Sequence, residues 1–399
     1  MKNKKYDNLI YYIFILIPIV DSINGILIKN NVIFNIGQIY RILTMVIMVF
    51  IAMKISKNYF NIFVIAILFF LSLNLYYYYY NNNIKSILED IISNSKLFMI
   101  FVIYFSYKVM LNNNKIGNYV INKIISTLII IFPLTILIPY ILGIGFNTYS
   151  NSAGFKGFYN ANNDLSIVLL IFTIFAINDF LNKRSLKSTI ILSINIISLL
   201  MVGAKTSLLG LALVLIIYFK NILLKLFKRK GIFITIILST IIYIFYDDLI
   251  AIWNKSIERL NYFYNINNSF ITLLLSHRNI YLIDSFKVLI NIKYPILALL
   301  LGTGTYFRCN GVVQGRIVEM DFFDILFSNG LIVLIIVIYL LYYIYRDRYK
   351  GNSEYDYKLA FIITIVLSVI VGHVFYSAMS GTILSIIMMG LVTKQYKVD

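Results

Sequence analysis

Long apolar runs, broken by clusters of Lys, Asn and Gly, fill the chain from end to end. A hydrocarbon core about 30 Å thick takes roughly 20 apolar residues of helix. Runs of about that kind fall at approximately 9–28, 33–53, 59–76, 96–111, 120–142, 163–181, 187–203, 205–220, 232–249, 322–345, 358–376 and 380–394. The pattern predicts an all-α, polytopic transmembrane helical bundle of about 12 spans, a single integral-membrane domain over residues 1–399. The GAKT turn between the seventh and eighth runs, and SAMS between the last two, predict tight helical hairpins. Residues 250–321 form one large interruption before the last three spans. Its second half, IYLIDSFKVLINIKYPILALLLGTG, mixes helical apolar spacing with Asp284, Lys287 and Lys293, which predicts short helices on the membrane surface. No repeat and no similarity between halves of the kind found in many transporters is visible.

Composition narrows the function classes. Of 399 residues 60% are hydrophobic and 13% charged, with mean hydropathy +0.84, whereas soluble chains carry about 25% charged residues. A soluble nucleic-acid enzyme, a disordered scaffold and a secreted disulfide protein are excluded. The single cysteine, Cys309, permits no intramolecular disulfide, and His277 and His373 are too few for a histidine zinc site. MKNKKYDNLIYYIFILIPIV has the charge and apolar run of a signal sequence without a small-residue cleavage site, and is read as a first span that stays.

The net charge of +18 reads first as topology. Placing the N-terminus in the cytoplasm puts 22 of the 35 basic residues in cytoplasmic segments. The short outer loops then hold five, and seven more fall in the long outer loop, which is largely exempt from the positive-inside rule. Both termini are expected in the cytoplasm and residues 250–321 outside.

Ions near the bilayer are the informative residues, because each costs at least about 2.5–3.5 kcal/mol at the membrane centre unless paired or wet. The expected outer side collects Lys205 in GAKTS, Arg278 in LSHRNIYL, and Arg308 and Arg316 in YFRCNGVVQGR. Glu319, Asp321 and Asp324 follow where the chain re-enters the bilayer; Asp321 and Asp324 share a helix face, and ordinary capping is an alternative for them. Lys205 is open to a reading as an interfacial lysine, and Arg278 as a solvated loop charge. Arg41 lies about nine residues, roughly 13 Å, inside its span, so it either snorkels, forms a structural pair or faces an internal anionic site. His373 in VGHVFYSAMSG reads as a packed histidine or a site residue. His277 reads as a bystander. Lys156, Asn160, Asn162 and Asn163 in GFKGFYNANNDLS could bind sugar hydroxyls, with capping the alternative for the last two. GTGTY at 302–306 lacks the strand and lysine of a nucleotide loop and reads as a backbone turn.

The ordered set GFYNANNDLS, GAKTSLLGLAL, LSHRNIYL, LLGTGT and EMDFFDILFSNGLIVL resembles O-antigen polymerases of the Wzy type, within the O-antigen polymerase and ligase superfamily, over nearly the whole chain. The resemblance implies a metal-independent inverting glycosyltransferase with no cofactor, in the bacterial cytoplasmic membrane. Its donor would be a polyprenyl-diphosphate-linked oligosaccharide and its acceptor a second lipid-linked glycan. The expected partners are those glycans, the lipid bilayer and other polysaccharide-export proteins, and no nucleic acid. Arg278 and Lys205 then match positions that grip the diphosphate, with Arg41, Arg308, Arg316, Lys156, Asn160 and His373 as further contacts. The family often has Ser-Arg-Thr where this chain has Ala204-Lys205-Thr206, and Lys loses bidentate geometry. Counting back from Gly330 puts Glu319 where the ligase branch has His. Glu319 is the implied base, with Asp321 as substitute. A lipid-linked oligosaccharide flippase and an O-antigen ligase are the rival readings.

Overall fold

The computed structural model describes residues 4–32, 35–81, 83–149, 154–183, 185–226, 240, 243, 246–267, 269–310, 317–346 and 354–392. Among these the regular structure is helical throughout, with one isolated antiparallel bridge between Asn147 and Phe155. The protein is an all-α polytopic membrane protein.

The first apolar run is two helices, α1 (Lys4–Ile15) and α2 (Ile17–Lys29), split at Leu16 just before Pro18. They are followed by α3 (Ile36–Ile55), α4 (Lys57–Asn81), α5 (Ile84–Asn112), α6 (Tyr119–Ile141), α7 (Asn162–Lys183), α8 (Leu186–Val202) and α9 (Lys205–Leu226). Six apolar stretches are long enough to cross a membrane, and α8, the first part of α9 and the last helix are shorter apolar helices. The run at 232–249 lies mostly outside the described residues. Helix α7 is the axis of the bundle, with 89% of its span buried, whereas the span within α4 is 11% buried and faces outward.

Local chemistry accounts for the helix ends. Asn35 accepts the backbone N–H of Gln38 and starts α3. Ser185 and Ser188 form a reciprocal cap on α8, and Gly203 in the left-handed conformation ends it. Lys205 then opens α9, so the GAKT hairpin forms as its sequence predicts. Pro133 inside α6 has no N–H to give the carbonyl of Ile129. Asn195 of α8 supplies a donor instead, its Nδ2 2.9 Å from that oxygen. In a membrane such freed carbonyls must be satisfied by neighbouring protein.

The chain between α9 and the tenth predicted span carries α10 (Tyr246–Asn267), α11 (Phe270–Leu275), α12 (Arg278–Asn291), α13 (Pro295–Leu301) and α14 (Thr305–Asn310). It returns to the bundle through α15 (Asp321–Arg346), α16 (Glu354–Ile370) and α17 (Ala378–Leu391). Helix α15 is broken at Gly330 (φ 83°, ψ 170°), and GTGTY fills the break. Thr303 and Gly304 donate their N–H groups to the carbonyls of Phe327 and Ser328 at 3.3 and 2.9 Å. A Cβ at Gly330 would lie 2.3 Å from the carbonyl oxygen of Leu300, which only glycine avoids. The turn read from sequence is therefore a backbone plug. The last hairpin differs from its predicted place: the helices separate at 371–377 rather than at SAMS, because Asp321 draws the backbone of 373–375 into hydrogen bonds.

Candidate active site

Three separate segments meet at one end of the bundle. Ser276 and His277 (φ 51° and 70°) turn the chain so that Arg278 opens α12. Glu319 (φ 62°) sits in the loop before α15, and His373 (φ 65°) in the loop between α16 and α17. These four are among the six non-glycine residues with left-handed backbone in the described chain. Such conformations are costly and persist where surrounding structure over-determines them.

Two acidic residues provide that determination. Asp324 accepts the N–H groups of Val318 and Met320 at 2.7 and 3.1 Å and pins the loop carrying Glu319. Asp321 accepts those of His373, Val374 and Phe375 at 3.0, 2.7 and 3.1 Å and pins the loop carrying His373. Gly372 (φ 67°) lets the two loops touch backbone to backbone, since a Cβ there would lie 2.2 Å from the Glu319 carbonyl oxygen.

The side chains then converge. Arg278 Nη2 lies 2.9 Å from Glu319 Oε2, and His373 Nε2 lies 3.5 Å from the same oxygen. The Arg278 side chain is 7% exposed, while Glu319 and His373 are 43% and 38% exposed, so the pair opens to solvent over a buried cation. Arg278 Nη1 reaches the Leu275 carbonyl, and its buried Nε has no partner. Lys205 Nζ lies 3.4 Å from Ser276 Oγ, two residues from Arg278. Behind His373, Ser377 donates to the buried carboxylate of Asp164 at the start of α7.

Electrostatics follow from this arrangement. The hydrogen bond from His373, assisted by the charges of His373 and Arg278, holds Glu319 below its ordinary 4.5 although partial burial pushes upward. Burial disfavours the protonated form of His373, but the hydrogen bond to Glu319 and the charges of Asp164, Glu319 and Asp321 outweigh it and raise His373 above 6.5. A carboxylate so stabilised is a weak base, and the imidazole beside it is a stronger one.

The other residues singled out from sequence go elsewhere. Asp321 is buried with its oxygens occupied by three backbone donors, so it cannot serve as a substitute base; it is an anchor. Arg41 is buried and held by Asp21 at 2.6 Å, by Thr382 and by the Gly37 carbonyl, which is the structural pair among its alternatives. Arg308 is buried against Ser285 with its guanidinium 4.9 Å from the Phe327 ring centre. Lys156 donates to the carbonyl of exposed Asn160 at 2.9 Å, and burial with the nearby Lys29 charge lowers its pKa. Asn162, read as a cap or sugar contact, donates to the Thr148 carbonyl. Arg316 lies outside the described residues. Asp164 and Gly372 escaped the sequence reading; the only signals were the NNDLS start of a span and the Gly-His pair. Among the described residues no three His, Cys, Asp or Glu side chains are placed to hold a metal ion.

An all-helical membrane bundle carries a buried cation beside a carboxylate–imidazole pair at one end, and the class it defines is that of a polytopic helical membrane protein. Residues 3–269 match the family model described as O-antigen ligase like membrane protein. The chain belongs to that family. The match includes Lys205 and Asp164 and ends before Arg278, Glu319 and His373. Neither the curated proteins nor the solved structures offer a match to the chain.

Proposed function

We propose that the protein is a polysaccharide polymerase, a metal-independent inverting glycosyltransferase. It joins polyprenyl-diphosphate-linked oligosaccharide repeat units on the outer face of the bacterial cytoplasmic membrane. Membership of the O-antigen ligase-like family supports a membrane enzyme acting on lipid-linked O-antigen-type glycans. The observation that carries the reading is the buried Arg278 guanidinium, bonded to Glu319 on one side and with Nε–H unpaired, set beside an acid–base pair.

In this reading Nε2–H of His373 donates to Glu319, which leaves Nδ1 to accept the proton of the acceptor sugar hydroxyl. The hydroxyl oxygen forms a bond to the anomeric carbon of the donor from the face opposite the leaving group. The bond from that carbon to the phosphate oxygen breaks, and its electron pair leaves with polyprenyl diphosphate. Arg278 and Lys205 meet the growing negative charge, an interaction stronger in the transition state than before it. The proton ends on His373, where Glu319 stabilises it. Residues 250–321 then form an extracytoplasmic loop, and both termini lie in the cytoplasm.

The test is reconstitution of the purified protein in vesicles with lipid-linked repeat units, with products resolved by chain length. A ladder is expected, and Arg278→Ala is expected to abolish it while leaving protein level and insertion unchanged. One transferred block on a different lipid acceptor would establish the ligase instead. Movement of the lipid across the bilayer without a new glycosidic bond would establish the flippase.

A further inference from the structure

Away from the candidate site, an apolar groove of about 590 Å³ runs along the bundle between α4, α5 and α15, a volume within the range of ligand sites, about 300–1,000 Å³. Its walls are Phe63 and Phe70 of α4, Phe98, Phe101 and Phe105 of α5, and Val337 of α15, and exposed Ile62 and Phe69 form an outer rim. The two ends differ. At one end Asn329 Nδ2 lies 2.8 Å from Asn94 Oδ1 and Asn94 Nδ2 lies 3.1 Å from Asn74 Oδ1, while the Tyr376 hydroxyl donates to Asn329. At the other end stand Ser56, Asn58, Asn112 and partly exposed Lys108, the single charged side chain among the described residues that line the groove. Tyr343 positions the ammonium of Lys108, which lies 3.0 Å from its hydroxyl and 4.5 Å from its ring centre. Lys54 and Lys57 flank Ser56 at this same end, where α3 gives way to α4.

Position along the helices fixes which lipid presents its headgroup at the lysine end. Helix α15 starts at Asp321, which pins the His373 loop, and Tyr343 lies roughly 30 Å further along it. That is about a full hydrocarbon thickness, so Lys108 and the candidate site serve opposite leaflets. From Lys108 back to Asn94, α5 rises about 21 Å, more than the ~15 Å of hydrocarbon in one leaflet. An apolar trench between membrane helices with lysines at its mouth matches an acyl chain that carries a negatively charged headgroup. The amide end offers a headgroup no charge. We propose that the groove binds one anionic phospholipid from the leaflet opposite the candidate site, with its phosphate on Lys108 and an acyl chain along Phe105, Phe101 and Phe98. The lipid fills the space between α4 and α15. The assignment is independent of the function proposed above.

The test is native mass spectrometry of the full-length protein in detergent, incubated with equal amounts of phosphatidylglycerol, phosphatidylcholine of the same acyl chains, and polyprenyl phosphate. Wild type is expected to retain one phosphatidylglycerol in preference to each of the others, over phosphatidylcholine by about fivefold, the effect of one lysine at an anionic lipid surface. Lys108→Met is expected to erase the preference over phosphatidylcholine, and Lys108→Arg to keep it. Ala66→Phe puts a ring into the groove away from the lysine, and is expected to release both phospholipids while wild-type circular dichroism shows it folded. Equal retention of the two phospholipids by wild type, or an unchanged preference in Lys108→Met, overturns the proposal. Full retention by folded Ala66→Phe overturns it by placing the lipid outside the groove. Preferential retention of polyprenyl phosphate by wild type overturns it by giving the groove to a different lipid.

Discussion

Replacing Glu319 by Gln keeps the volume of the side chain and removes the one charge to which both Arg278 and His373 respond. His373 titrates above 6.5 in the native protein because its interactions with Glu319, Asp164 and Asp321 outweigh burial. Without the Glu319 charge, burial weighs more heavily and the titration moves down. The sign is then set: the neutral imidazole that accepts the proton is populated above its pKa. Wild-type transfer therefore rises with pH through a midpoint above 6.5, and the midpoint of Glu319→Gln falls below the wild-type one. The plateau drops as well, since loss of a positioned acid–base partner removes about 10²–10⁴-fold in rate. Stability falls less. Breaking a buried ion pair costs about 3–5 kcal/mol, but the Glu319 side chain is 43% exposed and water recovers part of that, leaving about 1–3 kcal/mol. The assay is initial transfer rate against pH in the reconstituted system, alongside thermal melting. A variant with the wild-type midpoint and a plateau within threefold of wild type would refute the role given to the pair.

Gly372→Ala would place a Cβ 2.2 Å from the Glu319 carbonyl oxygen at a left-handed backbone position. Displacing the two loops by even about 1 Å is expected to cost on the order of 10²-fold in transfer rate, read in the same assay. Asn195→Ala should lower stability by about 1–3 kcal/mol by stripping the donor from the Ile129 carbonyl. The same change in a Pro133→Ala background should cost less, because residue 133 then supplies its own N–H; equal losses in the two melting curves would contradict this account.

Much of the architecture is written locally. A membrane leaves each backbone group to find its partner within its own helix, so apolar run length translates almost directly into helices such as α3, α6 and α7. Ser185 and Gly203 mark their helix ends by side-chain and backbone chemistry that needs no distant partner. Where a helix is long, the runs understate it: α5 begins at Ile84, well before the apolar run at 96, because its first turns carry Lys85, Glu89 and Asp90.

The candidate site was legible as a set of residue types and not as an arrangement. Arg278, Glu319, Lys205 and His373 each stand out as ions or titratable groups in an apolar chain. Arg278 and Glu319 meet across 41 residues, Glu319 and His373 across 54, and Lys205 reaches Ser276 across 71, and only packing brings such positions together. Asp321 shows the limit most plainly. In one dimension it is a second carboxylate next to a candidate base, while in three its oxygens are occupied by the backbone of a different hairpin. Arg41, conspicuous in its span, is neutralised by Asp21 from the preceding helix, while Lys96, which looks like an ordinary residue at the start of a span, is left without a hydrogen-bond or ion-pair partner in the described structure. Amino-acid order alone settles which segments become membrane helices, because that depends on local hydrogen bonding and transfer from water. Which charges are matched depends on the neighbours each helix acquires, and that the tertiary structure alone decides.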